Sequence, residues 1–198
     1  MTDARKEKLI QVIQNRQFDL TLVLENVFDP HNISAVMRTC DAVGVQELFI
    51  LNTKIPRHKK FGARSSSSAA KWLTIHQFDE IDSCFSAIRE RYPRILTTHL
   101  SSDATSLYKL NLTQPIALVF GNEHSGVSEE IRAKADGNFI IPQVGIIQSL
   151  NISVACAVTL YEAYRQKEIA GHYANGNATN NGRERLSLEW GVNEDSIL

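Results

Sequence analysis

Short apolar runs punctuate the chain at residues 20–24, 47–51, 72–75, 94–98, 116–120 and 139–141. Runs of that length, rich in Val, Ile, Leu and Phe and bounded by turn residues, read as buried strands. Helical patterns lie between most of them, at 33–43, 81–91, 129–135 and 152–167. Strand alternating with helix predicts an α/β fold, a mostly parallel sheet flanked by helices, with ligands held at the carboxyl ends of the strands. Residues 3–16 add an N-terminal helix with Leu9, Ile10, Val12 and Ile13 on its apolar side. After Ile169 the pattern breaks into a Gly- and Asn-rich stretch at 171–182, too poor in apolar surface to fold by itself. The piece 183–190, basic and then apolar, could dock as a helix on the body or on a partner subunit. The expected organisation is a helical extension at 1–19, a principal domain at 20–170, and a flexible tail at 171–198 with a short helix in it.

Length and composition then narrow the class. A chain of 198 residues with 43% apolar residues suits one soluble domain with a single core. The start is polar and no apolar run reaches the roughly 18 residues of a membrane helix, so the expectation is a cytoplasmic protein with no membrane partner. Cys40, Cys84 and Cys156 are far apart and lack CxxC spacing, and no HExxH occurs, so buried, reduced thiols and no metal are expected. Net charge is only -1, but residues 1–71 hold 11 Lys or Arg against 7 Asp or Glu. Within 52–72 stand Lys54, Arg57, Lys59, Lys60, Arg64 and Lys71 and no acid. Such a patch is either a solvated loop or a phosphate-binding surface for nucleic acid.

Three segments carry candidate chemistry. In the first, the chain turns at Asp29-Pro30 and is expected to cap a helix near His31 or Asn32, and Arg38 follows among small and apolar residues. An arginine there needs an anion, either a ligand's or that of Asp41 or Glu123 in a buried salt bridge. In the second, the strand at 116–120 runs into Gly121-Asn122-Glu123-His124-Ser125-Gly126, and Ser128, Glu129 and Glu130 open the next helix. The loop lacks the Lys-Ser/Thr of a P-loop, which argues against a nucleoside triphosphate. Its glycines would admit a ligand close to the backbone. In the third, Ile141-Pro142 leads through Gly145 and Gln148-Ser149-Leu150-Asn151-Ile152-Ser153 into the last long helix, as a ligand loop would. No GxSxG elbow exposes a nucleophile, which disfavours hydrolysis.

Asn32 with Arg38, then Phe120-Gly121-Asn122-Glu123-x-x-Gly126, then Ile141-Pro142 to Ser149-Leu150-Asn151-x-Ser153, resemble in this order the three motifs of the SPOUT RNA 2'-O-methyltransferases. The resemblance runs from about residue 20 to residue 167. Within that superfamily, Pro30-His31-Asn32-Ile33-Ser34-Ala35, Thr98-His99-Leu100-Ser101 and Gln148-Ser149-Leu150-Asn151-Ile152-Ser153-Val154 are most similar to the SpoU/TrmH-type branch, and within it to the enzymes that methylate guanosine 18 of tRNA. It implies a C-terminal deep trefoil knot and S-adenosyl-L-methionine as cofactor, met at Thr98, Gly121, Ile141 and Leu150. It implies substrate positioning and catalysis by Asn32, Arg38, Glu123, Ser149, Asn151 and Ser153. Arg38 would be the family's proposed base, aided by a substrate phosphate. Binding that phosphate and stabilising the developing alkoxide suits a guanidinium, which keeps its proton, better. The family works as homodimers on tRNA, with ribosomal RNA as the alternative target and a catalytically silent RNA-binding protein as the alternative class. Because the tail is short and Asn-rich, Arg57, Lys59, Lys60 and Arg64 would supply more of the RNA binding.

Overall fold

The computed structural model describes residues 1–58, 61, 69–174 and 180–192. Its strands β1 (Gln17–Glu25), β2 (Val45–Leu51), β3 (Thr74–Phe78), β4 (Arg94–Thr98), β5 (Thr105–Ser106), β6 (Ile116–Phe120) and β7 (Asn138–Ile140) form one wholly parallel sheet. Their order is β3-β2-β1-β6-β4-β7-β5. The period of two sorts the side chains: Leu20, Leu22, Leu24, Leu48, Ile50, Leu118 and Phe120 pack on one face. Val23, Phe49, Leu51, Ala117 and Val119 pack on the other.

Helices cover both faces, as a parallel sheet requires. These are α1 (Asp3–Gln14), α2 (Pro30–Ala42), α3 (Ile81–Arg89), α4 (Glu129–Lys134), α5 (Ile152–Ile169) and α6 (Asn180–Trp190). On the Leu20 face α2 and α5 lie against each other through Ile33, Val36, Met37 and Cys40 and Ile152, Cys156, Leu160 and Ala163. On the Val23 face Cys84, Phe85 and Ile88 of α3 and Ile131 of α4 complete a second core. All three cysteines are free and buried. A third, smaller core joins α6 to α1, where Leu186 and Val192 close over Ile13. Trp190 stands edge-on to Trp72 with centroids 5.1 Å apart and covers the guanidinium of buried Arg16 at 5.5 Å. Arg16 in turn holds Asp41 at 2.6 Å.

The strand order places the site. From β1 the chain moves outward to β2 and β3, then resumes on the opposite side of β1 with β6, β4, β7 and β5. Loops that leave neighbouring strands in opposite directions open a crevice at their carboxyl ends. That crevice lies beyond Glu25, Thr98, Phe120 and Ile140. Strand β5 escaped the hydrophobic pattern because it is only two polar residues long at the sheet edge. Among the described residues no helix is long and apolar enough to cross a membrane.

Candidate functional site

A pocket of about 460 Å³ opens at the strand ends, walled by Thr98, Phe120, Gly121, Phe139, Ile141 and Leu150. Each of the four positions expected to meet a cofactor lines it: Thr98 ends β4, Gly121 follows β6, Ile141 follows β7, and Leu150 lies one residue before the cap of α5. Glu123 and Ser149 line it as well. A larger cleft of about 760 Å³ lies between Thr53, Lys54, Glu80, Asp82, Ser128 and Glu129. It holds none of the expected cofactor or catalytic residues, and its acidic rim suits an anionic ligand poorly.

Local sequence explains the shape of the loops. The Asn122 side chain accepts from the backbone nitrogens of His124 and Ser125, both at 2.9 Å, and Gly126 N donates to Asn122 O at 3.0 Å. This tight turn needs Gly126 in the left-handed region at φ +64°. It also needs Gly121, where a Cβ would collide with the Gly126 carbonyl and Val127 N. The glycine expected to admit a ligand thus closes the loop on itself. The loop is tied to the sheet by buried Glu25, whose carboxylate accepts from Ser128 N at 2.9 Å.

Four polar side chains meet on the rim. Asp29 caps α2 by accepting from His31 N at 2.8 Å, which sets Asn32 in the first helical turn. Asn151 caps α5, its side-chain oxygen accepting from Ser153 N at 2.8 Å and Ser153 Oγ at 2.6 Å. The amide of Asn151 donates to Asn32 Oδ1 at 3.3 Å, and the amide of Asn32 donates to Glu123 Oε1 at 2.5 Å. The result is a directed hydrogen-bond chain, Ser153 to Asn151 to Asn32 to Glu123, that ends on a carboxylate. It fixes both asparagine amides.

Arg38 lies six residues beyond Asn32 on the same helix, about 9 Å further along its axis, and is exposed. It does not line this pocket; Asp41 is held by Arg16 and Glu123 by Asn32. Arg57 is exposed and paired with Asp79 at 2.9 Å. Lys59, Lys60 and Arg64 lie outside the described residues. Among the described residues no group of His, Cys, Asp and Glu is placed to hold a metal ion.

Sequence reasoning missed several residues that shape the site. Glu25, an acid closing an apolar run, and Asn26, in the left-handed region at φ +49°, anchor the first loop. The Asn26 amide donates to Thr53 Oγ1 at 3.0 Å, while its oxygen accepts from Lys54 N at 2.9 Å. An acid followed by Asn at a strand end was the available signal. Phe28, exposed beside the mouth, meets His124 edge-on with centroids 6.3 Å apart.

Comparison with known proteins agrees with this fold. A model of the SpoU rRNA methylase family matches residues 19–161. The tRNA (guanosine(18)-2'-O)-methyltransferase of Thermus thermophilus is 42% identical over 174 residues, 87% of this chain and 88% of that relative. The crystal structure of the Aquifex aeolicus TrmH/SpoU tRNA modifying enzyme is similar at a TM-score of 0.86 and 34% identity, covering 99% of this chain and 98% of that one. The SpoU methyltransferase AviRb from Streptomyces viridochromogenes, in complex with AdoMet, is similar at a TM-score of 0.69 and 25% identity, covering 79% and 62%.

Proposed function

The chain belongs to the SpoU rRNA methylase family, and on that premise we propose that it methylates the 2'-oxygen of a ribose in tRNA, that of guanosine 18. The observation that carries the reading is the rim chain from Ser153 to Glu123, set beside a pocket that all four expected cofactor positions line. The pocket falls within the volume range of small-molecule sites. Its walls pair apolar side chains of Phe120, Phe139 and Ile141 with the strand-end backbone of Thr98 and Gly121, which suits the base and sugar of S-adenosylmethionine. That cofactor supplies a methyl group already activated by its sulfonium. What remains for the protein is to align the ribose hydroxyl and manage its proton.

Asn32, its amide fixed by Glu123 and its carbonyl by Asn151, orients the ribose. Arg38, on the solvent side of α2, holds a substrate phosphate and stabilises the developing alkoxide. Ser149 and Ser153 complete the substrate side. Arg57, Lys59, Lys60 and Arg64 supply basic charge for RNA binding. Ribosomal RNA is the second reading, favoured by the family's description; the 42% identity to a tRNA enzyme over most of both chains favours tRNA.

The reading extends to topology and assembly. A deep trefoil knot is supported by β7 lying between β4 and β5 while the next helix, α5, returns to pack on α2. A homodimer is supported by apolar surface beside the pocket: Val144, Ile146 and Ile147 on the loop and Val154 and Tyr161 on α5 are all exposed. A cytoplasmic location is supported by action on tRNA.

The test uses Arg38→Ala with a tRNA transcript. Expected is loss of methyl transfer with S-adenosylmethionine binding retained. A near wild-type rate would remove Arg38 from the reaction, and absence of cofactor binding by the unaltered protein would sink the enzyme reading.

A further inference from the structure

The inner wall of the pocket holds a contact that the motifs do not include. His99, the first residue beyond β4, lines the pocket and is fixed to β7 by its backbone nitrogen, which donates to Phe139 O at 3.3 Å. Its ring Nε2 stands 2.6 Å from Nη1 of Arg132 on α4. A guanidinium carries donors only, so this contact requires the lone pair of Nε2 and leaves the ring proton on Nδ1. Arg132 is half-buried, and its Nε has no hydrogen-bond partner among the described residues. The exposed Asp103 on the following loop also interacts electrostatically with His99; its carboxyl sits below its usual range chiefly through Ser101. A solvated carboxylate competes weakly with a direct contact.

The neighbouring polar groups on this wall are engaged elsewhere. Thr98 Oγ1 donates to Val119 O at 3.2 Å, Asn122 closes its own turn, and Glu123 accepts from Asn32. A neutral imidazole with Nε2 occupied keeps one directional donor, Nδ1–H.

We propose that Arg132 is a positioning residue that locks His99 as the Nδ1–H tautomer, so that the pocket presents one fixed ring donor to a nucleoside ligand. The acceptor is a ribose hydroxyl oxygen or an adenine ring nitrogen. The proposal rests on the S-adenosylmethionine reading for its ligand but not for its tautomer. Arg132 thereby acts on cofactor binding through His99, without touching the cofactor.

Imidazole ¹⁵N NMR of the full chain reports the tautomer, and calorimetry with S-adenosylhomocysteine reports affinity. Expected in the free protein is a pyridine-type Nε2 and a pyrrole-type Nδ1 for His99. Arg132→Met, which removes the donors, should erase that preference, and Arg132→Lys should restore it. An asparagine amide falls near the ring's Nδ1 and a glutamine amide near Nε2. His99→Asn should therefore hold affinity within about threefold, whereas His99→Gln and Arg132→Met should lose about tenfold, the worth of one hydrogen bond. An Nε2–H tautomer in the unaltered protein, or equal affinity across the variants, would overturn the proposal. If the unaltered protein bound no S-adenosylhomocysteine, the cofactor reading would fail while the NMR experiment still decided the role of Arg132.

Discussion

Replacing Asn151 by aspartate and by alanine separates its two jobs. The Oδ1 atom caps α5 by accepting from Ser153 N and Oγ, and the amide donates to Asn32 Oδ1 at 3.3 Å. Alanine removes both functions. Loss of the cap costs about 1 kcal/mol, or roughly 3 °C in Tm for a domain of this size. Aspartate keeps the acceptors and adds a negative charge at the helix N-terminus, which contributes about 0.3–1 kcal/mol of stability. It nevertheless turns a carboxylate oxygen toward the Asn32 carbonyl, so Asn32 loses a donor and gains a repulsion. The expected cost, about 1–3 kcal/mol, falls on the orientation of Asn32 and slows methyl transfer by about 5- to 150-fold. Thermal melting and single-turnover transfer from S-adenosylmethionine to a tRNA transcript measure the two effects. Expected is a lowered Tm for Asn151→Ala alone and a lowered rate for both variants. A wild-type rate for Asn151→Asp would refute the hydrogen-bond chain as the device that orients Asn32.

Other outcomes follow from the same structure. Burial pushes the Glu47 carboxyl up, but donors from His76, Arg91 and Tyr92 overcome it and hold it at about 2. His76 Nε2, at 3.7 Å, is too distant to donate well, so the Arg91 ion pair and the Tyr92 hydroxyl at 3.0 Å dominate. Because the folded value is depressed, the stability this group contributes is present above pH 4.5 and is lost as pH falls through the folded value. Urea titration should show Glu47→Gln less stable than the unaltered protein at pH 7, with the gap closing toward pH 2; a constant gap would refute this. Neutralising Arg57, Lys59 and Lys60 should weaken tRNA binding and flatten its salt dependence. Unchanged affinity and slope in filter binding would assign those residues to a solvated loop. Ile146→Asp with Ile147→Asp should shift a dimer to monomer in light scattering; an unshifted mass would place the interface elsewhere.

Strands 94–98 and 116–120 were legible to the residue: Ile116–Phe120 is an apolar run buried throughout, and in Arg94–Thr98 the buried Ile95, Leu96 and Thr97 carry the signal. Helices α2 and α5 were legible from their periodicity, but the cap expected near His31 or Asn32 is Asp29, which accepts from His31 N and starts α2 at Pro30. Long-range partnerships were not. Asn32 meets Glu123 across 91 residues and Asn151 across 119, and Glu25 reaches Ser128 across 103. No spacing rule reports such separations, so the site could be assembled in advance only through the ordered resemblance of three motifs. Arg38 shows the limit of local reading: apolar neighbours in sequence suggested burial, yet its position on α2 turns it to solvent. The fold of α6 onto α1 was open for a similar reason, since it depends on Trp190 finding Trp72 and Arg16 across the chain.

The most direct test of the central claim is incubation of the protein with methyl-labelled S-adenosylmethionine and total RNA, followed by mapping of the labelled nucleotide. The structure and its relatives lead to label on the ribose of guanosine 18 in tRNA. Label on a base, label in ribosomal RNA alone, or no transfer at all would contradict it.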